Sequence, residues 1–156
     1  MKAALISLGS RSSIMVMEAM KKYFGSVDHI DLRKVDLKLD IDSPEVLYEG
    51  RPFPKYDCIY AKGSFRYHPL LRAMTEILGK EVYMPLKASA FSLASDKILT
   101  QLDIQKHKIP MPSTYLAATP EAAKGILKKI HYPIVMKFPQ GTHGKGVMFA
   151  DSYSSA

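Results

Sequence analysis

Strand-like and helix-like segments alternate along the first half of this chain. The runs AALISL and YDCIYA are apolar throughout and VDHIDL alternates, whereas the segments between them have the spacing of amphipathic helices. Strands joined through helices pair in parallel, and the ligands of such sheets lie beyond the carboxyl ends of the strands. The pattern therefore predicts an α/β fold with a parallel sheet.

Small residues follow two of these strands, at Gly9 to Ser13 and at Gly63 to Arg66. Both loops are predicted to lie at the carboxyl edge of the sheet, which makes Ser10 and Ser64 candidate substrate-binding residues. Arg66 is a candidate partner for a substrate carboxylate, although a solvated arginine at the start of a helix explains it equally well.

Capping and turn residues predict several element boundaries. Ser12 or Ser13 is expected to cap the first helix. Glu49-Gly50 is expected to form the turn of a hairpin in EVLYEGRPFP. EVYMP is predicted to be a short strand, whereas residues 33–42 are charged and weakly patterned.

Composition changes after Pro85, where the second half begins. The segment ASAFSLASDKILTQLDIQKH is predicted to be one helix with Asp96 near its start, and the prolines of KIPMPSTYLA end that helix before a strand. Thr119 is expected to cap a helix in TPEAAKGILKKI, with Pro120 at its first position. The strands YPIVMKF and GVMFA then flank a glycine loop, which predicts a hairpin flap.

The loop GTHGKG matches neither of two common phosphate-binding motifs. The dinucleotide fingerprint opens a helix, and the Walker A lysine precedes Ser or Thr, whereas Gly146 follows Lys145 here. A hairpin flap can still fold over a phosphate tail, because its glycines let the backbone N–H groups of Gly141, Thr142, Gly144 and Gly146 approach phosphate oxygens. The side chains of Thr142 and Lys145 either add a contact or are simply exposed.

Lys137 lies inside the apolar strand VMKF, on the face opposite Met136 and Phe138. Because an unpaired ammonium is costly to bury, this side chain needs an anion or a path to solvent. The glycine loop that follows makes a phosphate the simpler explanation. His143 is expected to point to water, and nothing in the sequence suggests a metal site.

The chain carries 22 Lys and Arg against 15 Asp and Glu, a net charge of +7 that suggests an anionic partner. Nucleic acid is unsupported, because the cations are scattered and no binding motif accompanies them. The single cysteine, Cys58, excludes an internal disulfide and indicates a buried thiol in a reducing compartment. No apolar segment is long enough to span a bilayer, so a cytoplasmic protein is expected.

The segments SDKILTQLDIQKHKIPMPSTYLA and YPIVMKFPQGTHGKGVMFADS, in this order, strongly resemble the small nucleotide-binding lobe of ATP-grasp ligases. The first half resembles the pre-ATP-grasp domain that precedes this lobe. Within the superfamily the chain is most similar to RimK-type α-L-glutamate ligases and their archaeal relatives, which join an amino acid to a carboxylate. The implied fold is a Rossmann-like pre-ATP-grasp domain at 1–87 and a small α+β lobe of the ATP-grasp fold at 88–156.

The resemblance also implies roles for individual residues. Lys97 and Lys137 match the two lysines that contact the phosphates of ATP in this superfamily, and Gly141–Gly146 match the flap above the triphosphate. Lys108 stands where glycine is common at the end of a helix, at a cost of ~1 kcal/mol if its backbone is left-handed.

In the family, Mg²⁺ is held by a second, larger lobe that no segment of this sequence is predicted to supply. The resemblance implies ATP as cofactor, Mg²⁺ only together with that lobe, and carboxylate and amino-acid substrates that react through an acyl phosphate. Alone, the chain is expected to be the inactive amino-terminal portion of such a ligase. The alternative is a non-catalytic nucleotide-binding or assembly module that pairs with a separate large lobe or forms a homodimer.

Overall fold

A computed structural model of the protein describes residues 1–139 and 146–156, in two compact units, Met1–Ala94 and Ser95–Ala156. The first unit contains β1 (Lys2–Ser7), α1 (Arg11–Met20), β2 (Ser26–Asp31), β3 (Val35–Lys38), β4 (Glu45–Tyr48), β5 (Arg51–Pro52), β6 (Cys58–Ala61), α2 (His68–Leu78) and α3 (Ala88–Leu93). The second contains α4 (Lys97–Lys106), α5 (Pro120–Leu127), β7 (Ile134–Lys137) and β8 (Val147–Ala150). No described helix is long and apolar enough to cross a membrane.

A parallel sheet in the strand order β2-β1-β6 forms the centre of the first unit, which confirms the α/β prediction. The central strand β1 is apolar from Ala3 to Ile6, and all four of these side chains are fully buried. The backbone of a central strand is hydrogen-bonded to a neighbouring strand on each edge, so it can be buried without losing hydrogen bonds. When both faces are also covered, a continuous apolar run is favoured.

The core of the first unit extends from this sheet to α2. Ile6 and Ile59 of the sheet join Leu71 and Met74 of α2 in one buried cluster. Gly63, just after β6, is close to this core: a Cβ atom placed on it would lie 2.9 Å from the Cδ2 atom of Leu32. Glycine therefore lets the loop that follows β6 pack directly against the core.

The predicted hairpin is confirmed, and it extends into a strand that the sequence did not reveal. Glu49 and Gly50 both have positive φ, 53° and 72°, as a type I′ hairpin turn requires. The strands pair antiparallel in the order β3-β4-β5. β3 lies within the weakly patterned stretch 33–42, where Val35 is buried and its neighbour Asp36 is exposed.

Two predicted boundaries in the first unit are wrong. Ser10, not Ser12 or Ser13, caps α1, since its Oγ accepts a hydrogen bond from the N–H of Ser13 at 3.3 Å. EVYMP forms no strand and contributes a single parallel bridge between Tyr83 and Cys58. Cys58 is buried as expected, and this burial raises the pKa of its thiol.

The helix predicted across residues 88–107 is two helices, α3 and α4. Asp96 interrupts it, because its carboxylate accepts hydrogen bonds from the N–H groups of Ile98 and Leu99 at 2.8 and 3.1 Å. An Asp side chain satisfies these N–H groups without a preceding turn of helix, so a new helix begins here. The strand predicted at the end of KIPMPSTYLA is absent, and residues 109–117 are irregular.

The predicted cap of α5 and the predicted pair of strands at the end of the chain are confirmed. The Oγ1 atom of Thr119 accepts a hydrogen bond from the N–H of Ala122 at 3.1 Å, which caps α5, and Pro120 is its first residue. β7 and β8 pair antiparallel, with Lys137 opposite Val147.

Lys108 follows α4 with φ of 54°, the left-handed conformation expected from its position. Replacing Lys108 with Gly is therefore expected to raise the free energy of unfolding by about 1 kcal/mol, because glycine adopts this backbone without strain. Urea denaturation of the purified variant measures the change. The matched variant Lys106→Gly, within α4, should instead destabilise the protein, and equal effects from the two variants would contradict the explanation.

Candidate functional site

Two hydrogen bonds fix the chain on either side of the predicted glycine loop. The N–H of Phe138 donates to the carbonyl of Gly146 at 3.1 Å, which continues the β7–β8 ladder by one step. The N–H of Lys97 donates to the carbonyl of Pro139, also at 3.1 Å. The first residue of α4 is thus joined to the chain two residues beyond Lys137. The loop residues Gly141, Thr142, Gly144 and Lys145 lie outside the described part of the chain.

Lys97 and Lys137 line one cleft of the second unit, with a volume of about 1330 Å³. Lys129 also lines this cleft, and no Asp or Glu is among its described lining residues. Lys129 and Lys137 form no ion pair within residues 1–139 and 146–156. A cleft lined by cations without carboxylates has a positive potential and suits an anionic ligand.

The amino terminus of α4 contributes its lysine to this cleft rather than its backbone N–H groups. Asp96 already occupies the N–H groups of Ile98 and Leu99, and its negative charge lies at the positive end of the helix dipole. An anion near Lys97 would therefore have to be held mainly by side-chain ammonium groups.

Gly146 closes the described end of the loop in a conformation that disfavours any side chain. Its φ is 74°, and a Cβ atom placed on it would lie 2.3 Å from the Cδ2 atom of Phe138. Both the backbone and the ring of Phe138 therefore require glycine at this position.

Replacing Gly146 with Ala is expected to destabilise the β7–β8 hairpin by about 1–2 kcal/mol from the backbone conformation alone. The clash with Phe138 adds to this cost. The double variant Gly146→Ala/Phe138→Ala removes the clash and should recover only part of the loss. Thermal or urea unfolding measures both variants, and an unchanged midpoint for Gly146→Ala would refute the prediction.

The first unit brings its two predicted loops to the same edge of the parallel sheet. Both follow adjacent strands, since Ile6 of β1 pairs with Ala61 of β6. The Nζ atom of Lys62 donates a hydrogen bond to Ser12 Oγ at 3.1 Å and so joins one loop to the other. Lys62 was not singled out from the sequence, although its place directly after a strand was a usable signal.

The three predicted substrate-binding residues have different environments at this edge. Ser10 is engaged in capping α1, and its Oγ also lies 3.0 Å from the hydroxyls of Ser12 and Ser13. Ser64 and Arg66 are exposed, and neither side chain has a hydrogen bond or ion pair with the residues that the structure describes. Arg66 is therefore available to a ligand, whereas Ser10 has a structural role.

The turn after β1 is shaped by a buried hydroxyl. Ser7 is fully buried, its Oγ lies 2.8 Å from the Nε2 atom of His29, and it accepts a hydrogen bond from the N–H of Gly9. Gly9 has a φ of 74°, which glycine adopts without strain. These contacts fix where the loop leaves the sheet and so position Ser10 and Ser12.

Comparison with known proteins shows which proteins the second unit and the whole chain resemble. The profile of the RimK-like ATP-grasp domain matches residues 94–156, which is the second unit with one further residue. The second unit is therefore similar to the RimK-like ATP-grasp domain, as the sequence motifs predicted.

Individual relatives agree with this assignment. A probable alpha-L-glutamate ligase of Marinomonas sp. (strain MWYL1) is 29% identical over 100% of this chain and 53% of its own length. The RimK domain ATP-grasp protein of Sphaerobacter thermophilus superposes with a TM-score of 0.71 at 18% identity, over 99% of this chain and 57% of that protein. Carboxyaminoimidazole ribonucleotide synthase of Aspergillus clavatus, solved in complex with ATP, superposes with a TM-score of 0.62 at 15% identity, over 99% of this chain and 42% of that one.

These likenesses confirm the predicted fold. They also show that the chain spans about half the length of the curated relatives that it matches. Several of the curated relatives are named as probable alpha-L-glutamate ligases.

Proposed function

We propose that this chain supplies the triphosphate-binding part, and some of the substrate-binding part, of an ATP-dependent carboxylate–amine ligase that transfers glutamate. In such a ligase, ATP converts a carboxylate into an acyl phosphate, and an amine then displaces the phosphate to form an amide. The observation that carries the proposal is the placement of Lys97 and Lys137 in one carboxylate-free cleft, beside the two ends of the glycine loop.

Lys97 and Lys137 are assigned to the phosphates. An ammonium group forms charge-assisted hydrogen bonds with phosphate oxygens, and these are about twice as strong as neutral ones. The backbone N–H groups of the glycine loop, Gly141 to Gly146, would close over the same oxygens, with Thr142 and Lys145 as additional donors. Lys129 lines the same cleft and would add a third positive charge.

The loops of the first unit are assigned to the carboxylate substrate. Arg66 has the fork of N–H donors that binds a carboxylate through two hydrogen bonds, and Lys62 lies on the same loop. Ser64, exposed beside them, is a further donor. Ser10 would act indirectly, by capping α1 and holding Ser12 and Ser13 in place.

The described residues do not fit a magnesium site of their own. Residues 1–139 and 146–156 contain no group of three His, Cys, Asp or Glu side chains arranged to hold a metal. Magnesium in this proposal is held by the larger lobe of the complete ligase. The 156-residue chain should therefore bind ATP weakly and turn over little substrate by itself.

Titration calorimetry with ATP tests the proposal. A saturable 1:1 heat signal is expected at millimolar nucleotide, and inorganic triphosphate should compete for the same site. No saturable binding of ATP or of triphosphate would overturn the assignment of the cleft.

A second candidate function is a non-catalytic nucleotide-binding or assembly module. It is favoured by the many exposed apolar side chains of the second unit, including Tyr115, Leu116 and Phe149 at 60–67% exposure. Such surface is typical of an interface with a partner lobe or a second copy. Light scattering at increasing concentration distinguishes a self-associating module, which grows in mass, from a ligase part that stays monomeric until its large lobe is added.

A further inference from the structure

Ser7, the last residue of β1, is fully buried, and its hydroxyl has two hydrogen-bond partners among the residues that the structure describes. Its Oγ accepts a hydrogen bond from the N–H of Gly9 at 3.1 Å, and the Nε2 atom of His29 lies 2.8 Å away. A serine hydroxyl has one proton to donate and two lone pairs that accept. Because buried polar groups are almost always paired, we assign the hydroxyl proton of Ser7 to His29.

This hydrogen bond specifies the charge state of His29. Nε2 needs a free lone pair to accept a proton from Ser7, so the ring is neutral and carries its own proton on Nδ1. When an imidazole is protonated, both of its nitrogens become donors. The hydroxyl proton of Ser7 would then have no acceptor among the described residues. A buried donor without a partner is unfavourable, so protonation of His29 opposes the arrangement seen here.

His29 is exposed at the end of β2 and can exchange protons with solvent. Imidazole is the side chain that ordinarily changes charge between pH 5 and 8. Arg33 holds the pKa of Asp31 at about 2, so this nearby carboxylate stays ionised and attracts a protonated ring. The other charged side chains on β2 and on the elements packed against it, β1 and α1, are those of Lys2, Arg11, Glu18 and Asp28. Side chains of these types do not ordinarily titrate in that range.

The ring of His29 lies against the turn that follows β1. A Cβ atom placed on Gly9 would lie 3.6 Å from the Cε1 atom of His29. Gly9 leads into Ser10, which caps α1 and whose Oγ lies 3.0 Å from that of Ser12. Ser12 in turn accepts a hydrogen bond from Lys62 at 3.1 Å. Hydrogen bonds thus connect the end of β2 with the loops that follow β1 and β6.

We propose that His29 is a positioning residue for the loop Gly9–Ser13 and that its protonation releases this loop. With the ring neutral, Ser7 holds the N–H of Gly9, and Ser10 and Ser12 keep their places at the carboxyl edge of the sheet. With the ring protonated, Ser7 loses its acceptor and the turn is no longer fixed. The loop would then be ordered at neutral pH and disordered at acidic pH. Its biological meaning rests on the substrate-binding role proposed for this edge.

Solvent exchange of backbone amides, followed by NMR on the 156-residue chain at pH 5 and pH 8, tests the proposal. Protection factors remove the intrinsic pH dependence of exchange. The protection factor of the Gly9 amide should be at least about tenfold lower at pH 5, as expected when a local hydrogen bond opens. Amides of Ala4 to Ile6 in β1 are the internal control and should be equally protected at both pH values. Equal protection of Gly9 at pH 5 and pH 8 would overturn the proposal.

Nitrogen-15 spectra of the imidazole rings test the assignment of the protons directly. At pH 8 the ring of His29 should carry its proton on Nδ1, and Nε2 should have the chemical shift of an unprotonated nitrogen. A proton on Nε2 at pH 8 would contradict the hydrogen bond from Ser7 and with it the proposal.

Two substitutions separate His29 from His68, the other histidine of the first unit. In His29→Gln the amide oxygen can accept from Ser7 but does not titrate, so Gly9 should stay protected at both pH values. In Ser7→Ala the Gly9 amide should be unprotected at both. A pH dependence that persists in His29→Gln would assign the effect to another group and overturn the proposal. Loss of protection at both pH values in His29→Gln would also overturn it, because ring packing would then hold the turn.

No ligand enters these measurements. Failure of the loop to respond to pH would therefore refute the role of His29 alone, whereas absence of ATP binding would refute the proposed function and leave the behaviour of the loop unchanged.

Discussion

The purified 156-residue chain is expected to activate a carboxylate at less than about a thousandth of the rate of its full-length Marinomonas relative. Its described residues contain no group of three His, Cys, Asp or Glu side chains that could hold a metal ion. Loss of even one preorganised group that stabilises transition-state charge costs about a hundredfold to a thousandfold in rate. Trapping of acyl phosphate with hydroxylamine, in the presence of ATP, Mg²⁺ and glutamate, measures activation without knowledge of the natural amine.

The Marinomonas protein serves as the positive control in this assay. Hydroxamate formation by the chain at a rate within tenfold of that control would contradict the assignment of the metal site to a larger lobe. Traces of activity that persist in the Lys137→Met variant would be ascribed to a contaminating enzyme.

Replacing Lys137 or Lys97 with Met is the second change with a large expected effect. Each substitution keeps most of the side-chain volume and removes one charged hydrogen-bond donor. A hydrogen bond to a charged group contributes about 1.5–3 kcal/mol, so ATP affinity should fall about tenfold to a hundredfold in either variant. Calorimetric titration against the wild-type chain measures the loss.

Lys128→Met provides the matched control, because Lys128 lies at the end of α5 but does not line the cleft. Its ATP affinity should stay within about twofold of wild type, as expected for a solvated surface charge. An equal loss in all three variants would show that ATP responds only to the net charge of the protein.

Local sequence signals predicted most of the fold because the interactions concerned are local. The cap at Thr119 and the turn at Glu49-Gly50 each depend on residues within a few positions of one another. The break before α4 was not predicted, because the apolar spacing of a helix continues through Ser95-Asp96. The capping hydrogen bonds of Asp96 nevertheless start a new helix there. The two signals conflict, and the side-chain hydrogen bonds of Asp96 decide between them.

The prediction of a strand within KIPMPSTYLA was wrong, because a strand forms only where it can pair with the edge of another strand. Its residues have the composition of a strand, yet Met111–Ala117 form no backbone hydrogen bond with the residues that the structure describes. β3 shows the converse, since weak patterning at 35–38 was sufficient once β4 supplied an antiparallel partner. Non-local pairing is what a single sequence does not reveal.

Only part of the candidate site could be predicted from the sequence, for the same reason. Lys137 stood out because a charge in an apolar strand requires an explanation, and the family resemblance added Lys97. Lys62 and Lys129 carry no comparable signal, as lysines beside loops and on helices are usually solvated. They are noticed only because the fold brings one to Ser12 and the other into the cleft.

Affinities for ATP, ADP and AMP, measured side by side for the wild-type chain and its two lysine variants, test the central assignment most directly. If Lys97 and Lys137 hold the phosphate tail, wild-type affinity should decrease in the order ATP, ADP, AMP. Both variants should then lose affinity for ATP while their affinity for AMP stays unchanged. Equal wild-type affinities for ATP and AMP, or an equal loss for all three nucleotides in the variants, would contradict the account.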